Sequence, residues 1–282
     1  MRLDNERASS NIEDRRGSGG LVASGGKIGL GTIALALVAM YFGVDPNFVL
    51  NGMGALQPPT QQTQTASQPA NDEMTKFVSM VLADTEDTWH DLFAKMGKAY
   101  EEPKLVLFSG ETPTACGTGQ AAMGPFYCPG DHKVYIDLSF YQELKDRFHV
   151  TGEFAEAYVI AHEVGHHVQN LLGISEKVQS MRSHAGSEAA SNALSVKMEL
   201  QADCLAGVWA FHANQARSIL EQGDIESAIN AATAIGDDKL QKQAQGYALP
   251  ESFTHGSSAQ RVGWFTRGIQ QGDIKQCNTF AS

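Results

Sequence analysis

Between Glu73 and Tyr100 the large apolar residues Phe77, Met80, Val81, Trp89, Phe93 and Met96 recur with a helical rhythm, which predicts an amphipathic helix. Leu105–Phe108 is a short apolar run and reads as a strand. Lys133–Leu138 (Lys-Val-Tyr-Ile-Asp-Leu) reads as a second strand. The stretch between them, Ser109–Asp131, is expected to be loop. A helical pattern returns over 139–148. It is strongest from Glu153 to Leu172, where Gly152 opens the helix and Gly173 stops it. Further helices are expected over 189–216, 224–235, 238–245 and 257–270, the last with Ser257 or Ser258 as its N-cap. The pattern predicts a helix-rich α+β domain with a small β-sheet, spanning residues 73–282.

The chain ahead of this domain is built differently. Ile28–Val44 carries no charge over seventeen residues. As a helix it would be about 25 Å long, slightly short of a bilayer core of roughly 30 Å, and Lys27 can snorkel at its start. The flanks are rich in Gly and Ser on one side and in Gln, Thr and Pro on the other, so nothing nearby would cover a buried helix. A cleaved signal peptide fits less well, because the charged leader is long and no small-x-small site follows the apolar run. Residues 28–44 are therefore expected to be a transmembrane signal anchor. Arg2, Arg7, Arg15, Arg16 and Lys27 precede the run and no basic residue follows until Lys76. That asymmetry predicts a cytoplasmic tail at 1–27 and a domain outside the membrane. Residues 45–72, which include Pro-Pro-Thr-Gln-Gln-Thr-Gln-Thr, read as a flexible linker.

Composition narrows the function. The 282 residues are 42% hydrophobic, as in a globular protein, and carry a formal charge of −11. Phosphate binding needs a basic face, so nucleic acid is excluded as the main partner. No glycine-rich phosphate-binding string is present. Of four cysteines, Cys116 and Cys128 flank a loop and suit a local disulfide. Cys204 and Cys277 could pin the C-terminal tail to a helix. Spacing alone leaves the other pairings open.

The sharpest signal is His162-Glu163-Val164-Gly165-His166, inside the helix that begins near Glu153. Side chains at i and i+4 share one helix face, so both imidazoles can grip one ion. The carboxylate of Glu163 then lies beside the open position and can take a proton from water. His167 points elsewhere on the helix, toward solvent or the back of the site. A catalytic zinc site needs a third protein ligand, and Glu199 is the best candidate. Asp203, one turn on, can accept the free N–H of a ligating histidine and fix its tautomer. The apolar run from Cys204 to Phe211 predicts that this stretch is buried, where an acid pair needs cations or donors.

The His162–His166 string followed by Glu199-x-x-x-Asp203 resembles the Glu-ligand zinc metallopeptidases. Five further strings resemble one branch, the neutral zinc metallopeptidases of bacterial envelopes. They are Cys116-Gly117, Gly124-Pro-Phe-Tyr-Cys-Pro129, Val134-Tyr-Ile-Asp-Leu138, Glu199-Leu-Gln-Ala-Asp-Cys-Leu-Ala-Gly207 and Thr254-His-Gly-Ser-Ser-Ala-Gln-Arg261. The likeness covers roughly residues 75–280 and the N-terminal anchor. It implies a zincin-like metallopeptidase fold, Zn2+ as cofactor and a peptide or protein substrate. It also implies a bacterial inner-membrane location with the domain in the periplasm. His255 and Arg261 are similar to a His…Arg string of integral-membrane zinc proteases. That similarity implies that His255 donates to the substrate oxyanion and that Arg261 pairs with Asp203 or another buried acid. The strand around Tyr135 is a candidate cleft edge that could line a peptide by strand addition.

These readings converge on a membrane-anchored zinc peptidase that uses Glu163 as general base. Two alternatives stand beside it: a catalytically silent metal-binding module, and a zinc hydrolase of a non-peptide amide.

Overall fold

The computed structural model describes residues 1–3, 6–16 and 73–281. The expected anchor at 28–44 and linker at 45–72 lie outside the described residues. No helix among the described residues is long and apolar enough to cross a membrane.

A four-stranded sheet has the order β1-β2-β6-β5. β1 (Ile12–Asp14) runs parallel to β2 (Lys104–Phe108), with Ile12 opposite Leu105. β2 runs parallel to β6 (Lys133–Asp137), with Leu105 opposite Val134. β5 (Phe126–Cys128) closes the edge antiparallel to β6. β3 (Glu111–Thr114) and β4 (Gly117–Gln120) form a separate hairpin. The stretch 109–131 is therefore not all loop. β3, β4 and β5 are three or four residues each and lack an apolar run long enough to announce a strand. The disulfide Cys116–Cys128 ties the end of the hairpin to β5.

Of the expected cytoplasmic tail at 1–27, residues 17–27 lie outside the described residues. Met1–Arg16 belongs to the same compact unit as the domain. Its polar sequence has no strand period. β1 forms because β2 offers a free edge and because buried Glu86 draws polar partners from this segment. The Glu86 carboxylate accepts from Arg7 Nη2 at 2.7 Å, Ser9 Oγ at 2.5 Å and Asn11 Nδ2 at 2.9 Å.

Eight α-helices follow the sheet residues or are interleaved with them among the described residues. α1 spans Glu73–Lys95, α2 Ser139–Asp146, α3 Glu153–Leu171 and α4 Ile174–Ser183. α5 spans Glu188–Arg217, α6 Asp224–Ala234, α7 Asp237–Gln245 and α8 Ser258–Gln271. All but α4 were expected from the sequence, with ends shifted by a few residues. The helix-rich α+β expectation with a small sheet agrees with this architecture.

α3 is the central helix. Glu153 and Glu156 in its first turn complement the helix dipole, and Gly173 (φ 72°) takes up the left-handed conformation just past its end. It is buried against α1, α5 and α6 around Phe154, Tyr158, Trp89 and Trp209. The Phe154 and Trp209 rings stack at 5.8 Å, tying α3 to α5. α5 is capped by Ser187, which accepts from Ala190 N–H. α8 begins with a capping box formed by Ser257 and Gln260.

Two close approaches set the geometry of the site. A Cβ on Gly165 would lie 3.0 Å from the Ala202 carbonyl oxygen, so the glycine lets α3 sit tight on α5. A Cβ on Gly268 would lie 2.0 Å from the Cys204 carbonyl oxygen, and α8 therefore lies directly on α5. The disulfide Cys204–Cys277 fastens the turn after α8 to the same part of α5.

Candidate active site

His162 and His166 occupy successive turns of α3, and the Gly165 contact brings α5 up to them. Glu199 then stands opposite both rings. His162 Nε2 lies 3.2 Å from Glu199 Oε2, and His166 Nε2 lies 3.4 Å from Glu199 Oε1. One ligand atom from each of the three residues falls within 4.8 Å of the others. The three side chains picked out by spacing are thus brought together by the fold.

The hydrogen bonds behind the rings decide whether this set can take a cation. His162 Nδ1 lies 2.8 Å from Asp203 Oδ1. A carboxylate only accepts, so Nδ1 donates to Asp203, and with a cation held between the ring and Glu199 it is Nε2 that has the lone pair to bind it. His166 Nδ1 donates to Gln169 Oε1 at 2.9 Å, with the same result. Two imidazole lone pairs and one carboxylate pointing inward are the donor set zinc takes in open sites, so the residues present fit the ion.

Asp203 is fully buried and well supplied with donors. Arg261 Nε and Nη2 donate to its two oxygens, each at 2.9 Å, and Tyr158 OH donates to Oδ1 at 2.5 Å. Burial pushes its pKa up, but Arg261 and His162 outweigh this and leave it below the usual range. The expected pairing of Arg261 with Asp203 is what the structure has. Glu199 behaves alike: burial raises its pKa, but His166 and His162 hold it well below the ordinary carboxylate value.

Glu163 sits on the same helix with only 7% of its surface exposed, and its side chain makes no hydrogen bond to any other described residue. Burial pushes its pKa up; the two histidines pull it back only in part. It opens on a cleft of about 820 Å³ that also contains His162, His166, Glu199 and His255. A carboxylate of raised basicity without a fixed partner suits proton transfer to and from a bound reactant.

A family model described as "putative neutral zinc metallopeptidase" matches residues 1–280. The chain belongs to that family. Among its relatives is the uncharacterized protein YpfJ of Escherichia coli (strain K12), 55% identical over 289 residues, with 99% of each chain covered. The uncharacterized protein Rv2575 of Mycobacterium tuberculosis (strain ATCC 25618 / H37Rv) is 40% identical over 262 residues, covering 86% of this chain and 85% of the relative. No solved structure matches. Zinc is the metal the family implies, and the donor set agrees with it.

His255 lies on the wall of the same cleft and makes no hydrogen bond to His162, His166 or Glu199. It occupies a turn held by Asp237, whose Oδ2 accepts the backbone N–H groups of Thr254 at 2.8 Å, His255 at 2.6 Å and Gly256 at 3.0 Å. Asp237 Oδ1 is 3.2 Å from His255 Nδ1. The hydrogen bond to Asp237 raises the pKa of His255, although burial opposes it. Asp237 was not singled out from the sequence, since nothing in its spacing links it to a turn seventeen residues on.

Tyr135 does not line the cleft edge. It lies in β6, paired on both sides by β2 and β5, and its OH donates to Asp131 at 2.7 Å. The edge belongs to β5, whose Phe126 and Tyr127 line the cleft. His167 is neither solvated nor behind the metal-holding set. It is fully buried, donates through Nε2 to the Glu101 carbonyl at 2.6 Å, and accepts from Tyr127 OH at 3.0 Å. Burial lowers its pKa to about 4, so it is neutral. Asn170 also donates to Tyr127 OH, at 3.1 Å. His167 and Asn170 thereby moor the edge strand to the helix that carries His162 and His166. Gln169 was likewise missed, although its i+3 spacing from His166 was a readable signal.

Proposed function

We propose that this chain is a zinc-dependent peptidase that hydrolyses peptide bonds in the cleft between α3, α5 and β5. His162, His166 and Glu199 would hold the ion. A zinc ion there supplies Lewis acidity and makes water nucleophilic near neutral pH. Glu163 takes the proton of the attacking water and then delivers it to the leaving amine. His255, held by Asp237, donates a hydrogen bond to the developing oxyanion. The peptide lies along β5 as an added strand, so that backbone pairing sets its depth and cleft side chains read its residues.

The observation that carries this reading is Glu163: a buried carboxylate beside the metal-holding set, open to the cleft and bonded to nothing else described. A structural zinc site closes its fourth position with a protein ligand and has no use for such a group. The two disulfides, which consume all four cysteines, support work in an oxidising compartment outside the cytoplasm. The test is Glu163→Gln in the full chain, with an unfolded polypeptide as substrate. The variant is expected to bind zinc as the wild type does and to lose cleavage by about 10²-fold or more. Equal cleavage by the two proteins overturns the assignment of Glu163. Silence of the zinc-loaded wild type toward broad peptide libraries, with turnover of small amides, moves the reading to a non-peptide substrate.

A further inference from the structure

Behind His166 a line of buried amides leads away from the cleft. Gln169 Oε1 accepts from His166 Nδ1 at 2.9 Å. Gln169 Nε2 donates to the Met198 carbonyl at 2.8 Å and to Gln201 Oε1 at 3.0 Å. Gln201 Nε2 donates to the Cys277 carbonyl at 2.8 Å. Gln169 is fully buried and Gln201 nearly so.

The direction of every bond is forced. A backbone carbonyl can only accept, so Cys277 obliges Gln201 to present its NH₂ outward and its oxygen to Gln169. Gln201 oxygen and Met198 carbonyl together oblige Gln169 to donate, which leaves its oxygen facing His166. His166 must then donate through Nδ1, which leaves Nε2 as the nitrogen that can offer its lone pair to an ion held against Glu199. Two carbonyls that cannot flip thus choose the tautomer of the ring. Cys277 is itself held by its disulfide to Cys204, one residue past Asp203.

We propose that Gln169 and Gln201 are positioning residues for the metal centre, and that the disulfide-pinned C-terminal turn is the anchor of this relay. The proposal rests on reading His162, His166 and Glu199 as the metal-holding set. It makes the two histidines unequal. His162 is backed by a carboxylate neutralised by Arg261, and His166 by a neutral amide chain that ends on the backbone.

The test measures zinc affinity of the full chain by competition with a chromophoric chelator, and the His166 Nδ1 proton by NMR in the zinc-loaded protein. Gln169→Leu is expected to weaken zinc about tenfold or more and to move the Nδ1 proton resonance away from its hydrogen-bonded position. Gln201→Met is expected to give a smaller loss in the same direction, because Gln169 keeps its bond to Met198. Unchanged affinity and an unmoved resonance in Gln169→Leu overturn the proposal. Should Gln169→Leu fail to fold, unchanged affinity in Gln201→Met overturns it. Neither readout depends on turnover, so loss of the peptidase reading would leave this result standing.

A different set of contacts carries a second inference, on chain topology. β1 is part of the domain's sheet, Leu3 is buried in its core, and Glu86 takes its hydrogen bonds among the described residues from Arg7, Ser9 and Asn11. Arg16, where the described N-terminal segment ends, donates to Thr75 Oγ1 at 2.8 Å, close to where the chain resumes at Glu73. Arg16 and Thr75 therefore lie at neighbouring points of one folded unit. A single membrane crossing by 28–44 would put those points on opposite faces. Removal of the leader as a signal peptide would strip Glu86 of these donors. We infer that the described residues of 1–16 and 73–281 reside together on one side of any membrane, with residues 1–16 retained in the mature chain.

Variants that add one unpaired cysteine at an exposed position to the four disulfide-bonded ones, Ser10→Cys and Lys98→Cys, test this in cells expressing the full chain. A membrane-impermeant maleimide is expected to label both from the same side. Labelling of one from outside, with the other reached only after lysis, overturns the inference and restores the single crossing. Loss of the Ser10→Cys label from the mature chain, through cleavage after 44, overturns it too.

Discussion

Asp203 stands between His162 and Arg261, accepting from the imidazole Nδ1 at 2.8 Å while the guanidinium clasps both of its oxygens at 2.9 Å. All three are buried. A charge removed from water in this way is tolerable only while its partner remains. Arg261→Leu is therefore expected to destabilise the fold by about 3–5 kcal/mol, since it leaves the Asp203 carboxylate buried with one cation fewer. Asp203→Ala is expected to weaken zinc by about 10–100-fold, because His162 loses the acceptor that fixes its tautomer. Urea unfolding of the metal-free proteins checks the first, and chelator competition the second.

The glycines of α8 give a paired prediction. At Gly268 a Cβ would meet the Cys204 carbonyl oxygen at 2.0 Å, whereas at Gly263 on the exposed side of the same helix it would meet nothing within 4 Å. Gly268→Ala is expected to cost about 1–3 kcal/mol by prising α8 from α5, and to weaken zinc because Arg261 moves with α8. Gly263→Ala is expected to stabilise by about 0.5–1 kcal/mol, as alanine does in a helix interior. Equal effects of the two substitutions would reject close packing as the reason for Gly268.

Much of this centre was legible in the sequence because helices keep their own register. His162, Glu163 and His166 share a face by spacing alone, and so do Glu199 and Asp203. Once both helices were recognised, the only missing step was that they meet. That step was not legible in detail, since the contact is made by Gly165 against Ala202, a backbone approach that no periodicity reports. The sheet was less readable. β5 has three residues and β1 three, each stabilised by a neighbour far away in the chain, so a local pattern could not find them. For the same reason the sequence pattern points to Tyr135 as the cleft edge, where the apolar run is clear, and passes over Phe126 and Tyr127. The charge of the N-terminal segment gives no hint that Arg7, Ser9 and Asn11 converge on Glu86.

The mooring of β5 makes a prediction about substrate binding. Tyr127 OH bridges His167 and Asn170, and all three join the edge strand to the metal-bearing helix. Tyr127→Phe keeps the ring in the cleft wall and removes only the bridge. Zinc affinity is expected to stay unchanged, while KM for a polypeptide substrate rises about tenfold or less, the loss of one to two hydrogen bonds. A fall in kcat with unchanged KM would place Tyr127 in the chemistry instead.

His255 and Asp237 predict a pH dependence. The hydrogen bond to Asp237 raises the imidazole pKa above its ordinary 6.5 against the opposing effect of burial. A group whose folded pKa is raised contributes stability that is complete below the unfolded value and is lost as pH climbs through the folded one. The pair therefore holds the 254–256 turn best in acid to neutral solution. Function follows the same sign. The imidazolium carries an Nε2–H for an oxyanion whichever partner its Nδ1 takes, Asp237 Oδ1 at 3.2 Å or Thr254 Oγ1 at 3.0 Å. The profile of kcat/KM is thus expected to fall on its basic side as His255 deprotonates. Asp237→Asn removes the carboxylate that raises the pKa, and that limb should move to lower pH. His255→Ala should abolish the limb and lower kcat/KM across the range, by about 10²-fold for a lost oxyanion donor. An identical basic limb in wild type, Asp237→Asn and His255→Ala would assign it to another group and remove His255 from the reaction.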